Sequence, residues 1–143
     1  MREILFRGKT EDGKWVKGQL LYFKASVGEN ELALIVEGCE WDNSNEWFNL
    51  GKRAKVIPKT IGQYTGLTDK NGKKIFEGDI VDCWSEGVNA QGTVQQRRDG
   101  LWIIYPAWQK RIMWSLCPDE YSNTTVEVIG NIHDNPELLE GGE

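Results

Sequence analysis

Tight-turn signals bracket short apolar runs along this chain, and no stretch carries the long amphipathic pattern of a packed helix. Asp12-Gly13, Asn71-Gly72 and Asp99-Gly100 each place residues that tolerate positive φ where a hairpin must reverse. The reversals are densest in Tyr64–Val81, which reads YTGLTDKNGKKIFEGDIV. There Asn71-Gly72 and Glu77-Gly78-Asp79 flank the short apolar step Lys74-Ile75-Phe76. A Gly-Asp step feeding Ile80-Val81-Asp82-Cys83-Trp84, followed after a loop by Gln91-Gly92-Thr93-Val94, is how many small SH3-like barrels begin. Such a pattern addresses fold and leaves chemistry open.

The rest of the chain extends this reading. Met1–Arg7 alternates as a strand, and the return strand runs from Lys14 to about Phe23, with a bulge or bend expected at Gly18. Leu32–Val36 is a continuous apolar run suited to a strand buried on both faces. Cys39–Leu50 reads as a loop with Trp41, Trp47 and Phe48 on its shoulders, because Asp42, Asn43, Ser44 and Asn45 are turn formers. Lys55–Pro58 is expected as a short edge strand. Further strands are predicted at Asp79–Trp84, Gly92–Arg97, Leu101–Tyr105, Arg111–Leu116 and Thr124–Ile132. Asp134-Asn135-Pro136-Glu137 starts a short helix, with a capping side chain, proline in the first turn and a carboxylate near the positive end of the dipole.

The Tyr64–Val81 stretch resembles the signature of the YopX family of phage and prophage proteins. So do Val128-Ile129-Gly130-Asn131-Ile132 with Asn135-Pro136-Glu137-Leu138-Leu139, and Ile4-Leu5-Phe6-Arg7-Gly8-Lys9 with Trp15-Val16-Lys17-Gly18. The resemblance spans nearly the whole chain, with residues 25–54 and 86–122 outside any matched signature. It implies an all-β fold of SH3-like barrel character and brings no catalytic residues with it.

A chain of 143 residues is long enough for one ordinary domain with its own core or for two very small ones. The net charge of −5 disfavours a polyanionic partner such as nucleic acid. Local basic clusters, at Lys52-Arg53-Ala54-Lys55, Arg97-Arg98 and Lys110-Arg111, read most simply as solvated faces. Cys39, Cys83 and Cys117 are an odd, widely spaced set, which points to reduced thiols in a cytoplasm, here that of a host cell. No apolar run approaches the length of a membrane span, so no membrane partner is expected.

Candidate catalytic groups are few. His133 is the only histidine, and the sequence supplies it with no partner for general-base work. Cys39, Cys83, Cys117 and His133 are singletons in different elements, unlike the close ligand pairs of structural zinc sites, so neither metal nor cofactor is expected. Asp79 and Asp82 are three apart on a strand and face opposite sides, which prevents them from sharing an ion. Asp79 is better explained as a turn residue whose carboxylate holds backbone N–H groups.

The seven tryptophans stand out. Trp84, Trp102, Tyr105, Trp108 and Trp114 fall in the same half of the chain as Arg97, Arg98, Lys110 and Arg111. In the simplest arrangement the rings fill a small barrel and the cations line its rim. Whatever remains exposed can grip a peptide, stack single-stranded bases or pack against another subunit. On strand Leu101–Tyr105, Trp102 and Ile104 share one face while Leu101, Ile103 and Tyr105 share the other.

Together these readings predict an all-β protein: a β-hairpin region over residues 1–62, an SH3-like barrel over residues 63–143, and a short C-terminal helix. The expected role is that of a noncatalytic phage accessory protein that binds a host or phage protein through residues 84–114. Self-assembly into a homo-oligomer is one alternative. Single-stranded nucleic-acid binding is another.

Overall fold

A computed structural model describes residues 3–24, 31–44, 47–85, 88–106 and 114–140. Residues 3–63 form one compact unit and residues 64–143 a second.

The first unit is an antiparallel meander of β1 (Phe6–Lys9), β2 (Trp15–Lys24), β3 (Glu31–Asp42) and β4 (Trp47–Lys55). On its other side, β1 pairs with Gly62 and Gln63 at the start of β5 (Gly62–Thr68). Strand β2 changes partner at Gly18, which lies opposite Phe6, whereas Gln19 lies opposite Val36. A Cβ on Gly18 would fall 2.2 Å from the Val36 carbonyl oxygen, so only glycine lets the two backbones approach at this bend. Ala33, Ile35 and Val56 are buried here, with Phe6, Val16, Leu20 and Ile61 packed against them. The Arg7 guanidinium stacks over the Trp15 ring at 5.0 Å.

Three local expectations change. Strand β1 begins at Phe6 and runs to Lys9, later than the alternation of Met1–Arg7 suggests. Cys39–Asp42 and Trp47–Leu50 are strand rather than loop, because β3 and β4 stay in register out to Asp42 opposite Trp47, with Asn43 and Ser44 in a turn and residues 45–46 outside the described residues. Pro58 opens a single 3-10 turn, Pro58–Thr60, instead of closing a strand of its own.

The second unit continues along β5 into β6 (Lys74–Phe76), joined through the Asn71-Gly72 reversal. A five-stranded antiparallel sheet follows in the order β10-β9-β8-β7-β11. Its strands are β7 (Asp79–Ser85), β8 (Val88–Gln96), β9 (Trp102–Pro106), β10 (Trp114–Ser115) and β11 (Glu127–Asn131). The short helix α1 (Glu137–Glu140) comes after them. Val81, Cys83, Val94, Trp102, Ile104, Leu116 and Val126 pack with Ile75 into one core.

The all-β expectation holds, while the SH3-like barrel detail is not confirmed: among the described residues no sheet closes, and β10 and β11 are the two ends of this one. The backbone next to β11 is engaged elsewhere. The Lys70 N–H donates to Val126 O at 2.8 Å, and the Val128 N–H donates to the Asp69 carboxylate at 3.0 Å. Those groups are taken by the turn after β5, and among the described residues β11 does not pair with β10.

One turn geometry is used four times, at Thr10–Lys14, Asp69–Lys73, Arg97–Leu101 and Asp119–Asn123. In each, the first residue's N–H donates to the last residue's carbonyl, and the fourth residue's N–H returns to the first residue's carbonyl. The fourth residue has positive φ in every case: Gly13 at 86°, Gly72 at 81°, Gly100 at 92° and Ser122 at 66°. This is the three-residue hairpin loop with a bulge residue in the left-handed region. Asp69 and Asp119 reinforce it alike, each accepting backbone N–H groups two and four residues on.

Candidate functional site

The stretches that carry the family resemblance turn inward. Asp69 is 2% exposed, and its carboxylate accepts from Asn71, Lys73 and Val128 N–H groups at 2.8–3.0 Å. Burial alone would raise its pKa, but the three N–H donors outweigh that and hold it below its ordinary value. Asp79, also 2% exposed, accepts the Phe76 N–H at 2.7 Å, as expected of a turn residue. Asn131 Oδ1 accepts from His133 and Asp134 N–H groups, and the His133 ring is half-buried. These side chains complete backbone hydrogen bonding at turns, and that accounts for their identity without any chemistry. Among the described residues no group of three or more His, Cys, Asp or Glu is placed to hold a metal ion.

The residues proposed from sequence as a binding surface separate. Trp102 is 8% exposed and lies in the core with Ile104, while Tyr105, three residues along β9, is exposed on the opposite face. Arg97 is drawn into its own turn, where its Nε donates to Asp99 at 2.9 Å. That bond, joined by the Leu101 N–H, lowers the Asp99 pKa to about 2. Arg98 is exposed to solvent. The Trp84 side chain, Trp108, Lys110 and Arg111 lie outside the described residues.

The structure adds a feature that the sequence did not reveal. On the core side of the open sheet, a cleft of about 360 Å³ is lined by Cys83, Ile104, Trp114, Leu116, Cys117 and Val126, with Ser115, Thr124 and Thr125. Among the described residues that line it there is no Asp, Glu, Lys, Arg or His. Cys83 is buried, and burial followed by the nearby Asp82 charge pushes its thiol up to about 11, so it stays protonated at neutral pH. Cys117 is an exposed free thiol. The cleft adjoins β10, the end strand of the sheet. The Leu116 N–H donates to Trp102 O on the β9 side, so strand alternation points the N–H and C=O of Ser115 away from β9.

No helix among the described residues is long and apolar enough to cross a membrane. Among curated proteins, none matches the chain. Among solved structures, the crystal structure of protein EF1440 from Enterococcus faecalis superposes with a TM-score of 0.60 at 20% identity. The match covers 97% of this chain and 99% of that one, and at such identity it speaks for shared fold alone. The family described as YopX protein matches residues 5–140, which is nearly the full length. The turns built on Asp69, Asp79 and Asn131 therefore frame a chain that belongs to the YopX family.

Proposed function

We propose that this chain is a noncatalytic phage or prophage accessory protein that works in the host cytoplasm by binding a protein segment. The segment lies along β10 and places an apolar side chain in the adjacent cleft. The observation that carries this reading is the combination of an uncharged cleft with a sheet edge whose Ser115 backbone groups face outward. A volume of about 360 Å³ suits one or two apolar side chains. Edge addition would supply main-chain hydrogen bonds, and the cleft would supply selectivity.

Selection of a displayed random-peptide library against the purified protein tests this. Enriched peptides with alternating apolar positions are expected. Ser115→Pro, which removes only an outward N–H, and Thr125→Trp, which fills the cleft, should abolish their binding while circular dichroism is unchanged. A library that yields no binder, or binders indifferent to both substitutions, rules the reading out.

A further inference from the structure

The β2–β3 hairpin of the first unit is apolar on both of its faces, and toward the hairpin end the face away from the Ala33, Ile35 and Val56 core is left partly open by the described residues, although Val36 on it is buried and Tyr22 on the core side is itself 47% exposed. Tyr22 lies opposite Ala33 and Leu20 opposite Ile35, on the side of the Ala33, Ile35 and Val56 core. The alternate positions form the other face, where Leu21 lies opposite Leu34 and Phe23 opposite Leu32. Phe23 is 57% exposed and Leu32 39%, while Leu21 and Leu34 are half-buried. Adjacent apolar side chains left to solvent on one sheet face mark an interaction surface.

Charge decides what fits there. On the same face, β4 places Lys55 opposite Leu34 and Arg53 opposite Val36, both exposed. Positions 17–23 of β2, 32–36 of β3 and 53–55 of β4 that share this face carry no carboxylate. The bordering carboxylates, Glu31 at the hairpin end and Glu37 next to Val36, alternate onto the opposite face, where Glu31 pairs with Lys24 and accepts the Tyr22 hydroxyl and Glu37 lies opposite Lys52. The patch is therefore apolar with a cationic rim, on a chain whose net charge is −5. Screening at physiological salt, with a Debye length of about 8 Å, leaves the local cations in control at contact distance.

We propose that this face binds a partner protein segment in which apolar side chains alternate with Asp or Glu. A second copy of this chain docked face to face would bring two cationic rims and no carboxylate from these positions to the contact, so it lacks the complementary charge. Single-stranded nucleic acid needs stacking platforms, and the patch offers one ring, Phe23, among three leucines. This surface lies in the first unit, and its occupancy does not depend on the β10 cleft of the second.

The probe is a pool of fluorescein-labelled octapeptides with Leu or Phe at alternate positions and Asp or Glu between them, read by fluorescence anisotropy. A second pool carries Lys or Arg in place of the acids, and a labelled single-stranded oligonucleotide serves as a third probe. The acidic pool should bind wild type. Phe23→Ser should weaken it by roughly 10- to 100-fold, the effect of losing one buried aromatic contact. Arg53→Glu with Lys55→Glu should abolish binding of the acidic pool and allow the basic one. Ser115→Pro should change nothing, which separates this surface from the cleft. Because the substituted side chains are exposed, an unchanged unfolding midpoint will show that the fold survives. The proposal is overturned if both pools bind wild type equally, if neither binds, or if only the oligonucleotide binds. It is equally overturned if wild type is a dimer that Phe23→Ser dissociates.

Discussion

The carboxylate of Asp69 accepts a hydrogen bond from the backbone N–H of Val128, 3.0 Å away and 59 residues further along the chain. The same carboxylate holds its own turn through Asn71 and Lys73, so one side chain fixes a hairpin and fastens β11 to it. Asp69→Ala leaves those N–H groups without their acceptor. It should destabilise the protein by about 2–4 kcal/mol in urea unfolding, more than one ordinary hydrogen bond.

The pH dependence of that contribution has a definite sign. The folded pKa of Asp69 lies below its ordinary value, so its stabilisation is fully present above the unfolded pKa of about 3.9. It is lost as pH falls through the depressed folded value. The stability gap between wild type and Asp69→Asn should be constant from pH 7 to about 5 and shrink below 4. A gap that widens on acidification would contradict the assignment.

Ser122 occupies the position that glycine holds in the other three turns, with a φ of 66°. Ser122→Gly should relieve left-handed strain and raise stability by about 0.5 kcal/mol, the gain being offset in part by the entropy of the unfolded chain. Gly100→Ala, the converse change at the matching position, should cost about 1 kcal/mol. Denaturation midpoints of the two variants should therefore move in opposite directions.

Gly18→Ala has no room, because its Cβ would meet the Val36 carbonyl oxygen at 2.2 Å, and backbone cannot yield as a side-chain tip can. A loss of about 2–3 kcal/mol is expected. It should be accompanied by faster amide exchange around Leu20 and Ile35, where β2 takes up its second partner.

The two cleft cysteines should differ in reactivity although they line the same space. Iodoacetamide at pH 8 should modify exposed Cys117 and leave Cys83 intact, since Cys83 is buried with its thiol pushed up to about 11. Peptide mass spectrometry after brief labelling reads both sites.

Turns were legible in the sequence where glycine marks the left-handed position, at Gly13, Gly72 and Gly100. The turn at Ser122 has the same geometry but not the residue that announces it. The parity of β9 was legible too: Trp102 and Ile104 share the core, and Leu101 and Tyr105 reach solvent. Closure of the sheet was not, because it depends on whether the backbone around β11 is met by β10 or by Asp69 and Lys70. That is a contest between distant segments, invisible to local pattern. The cleft escaped notice for the same reason, since Cys83, Ile104, Trp114 and Thr125 come from separate stretches that only the fold assembles. The apolar face of the β2–β3 hairpin was half legible: the run Leu32–Val36 announced two apolar faces, and the structure buries Ala33, Ile35 and Val36 while leaving Leu32 beside Phe23 exposed.

The Asp69 clamp also sets an order of events on the ribosome. At typical synthesis rates of about 5–20 residues per second, the 59 residues that separate Asp69 from Val128 take roughly 3–12 s to appear. Throughout that interval the hairpin can form its local bonds, but the carboxylate lacks its distant donor and the Val126 contribution to the core is missing. The second unit therefore completes itself late, in a step that waits for β11, and nascent chains spend those seconds with apolar core surface open to chaperones.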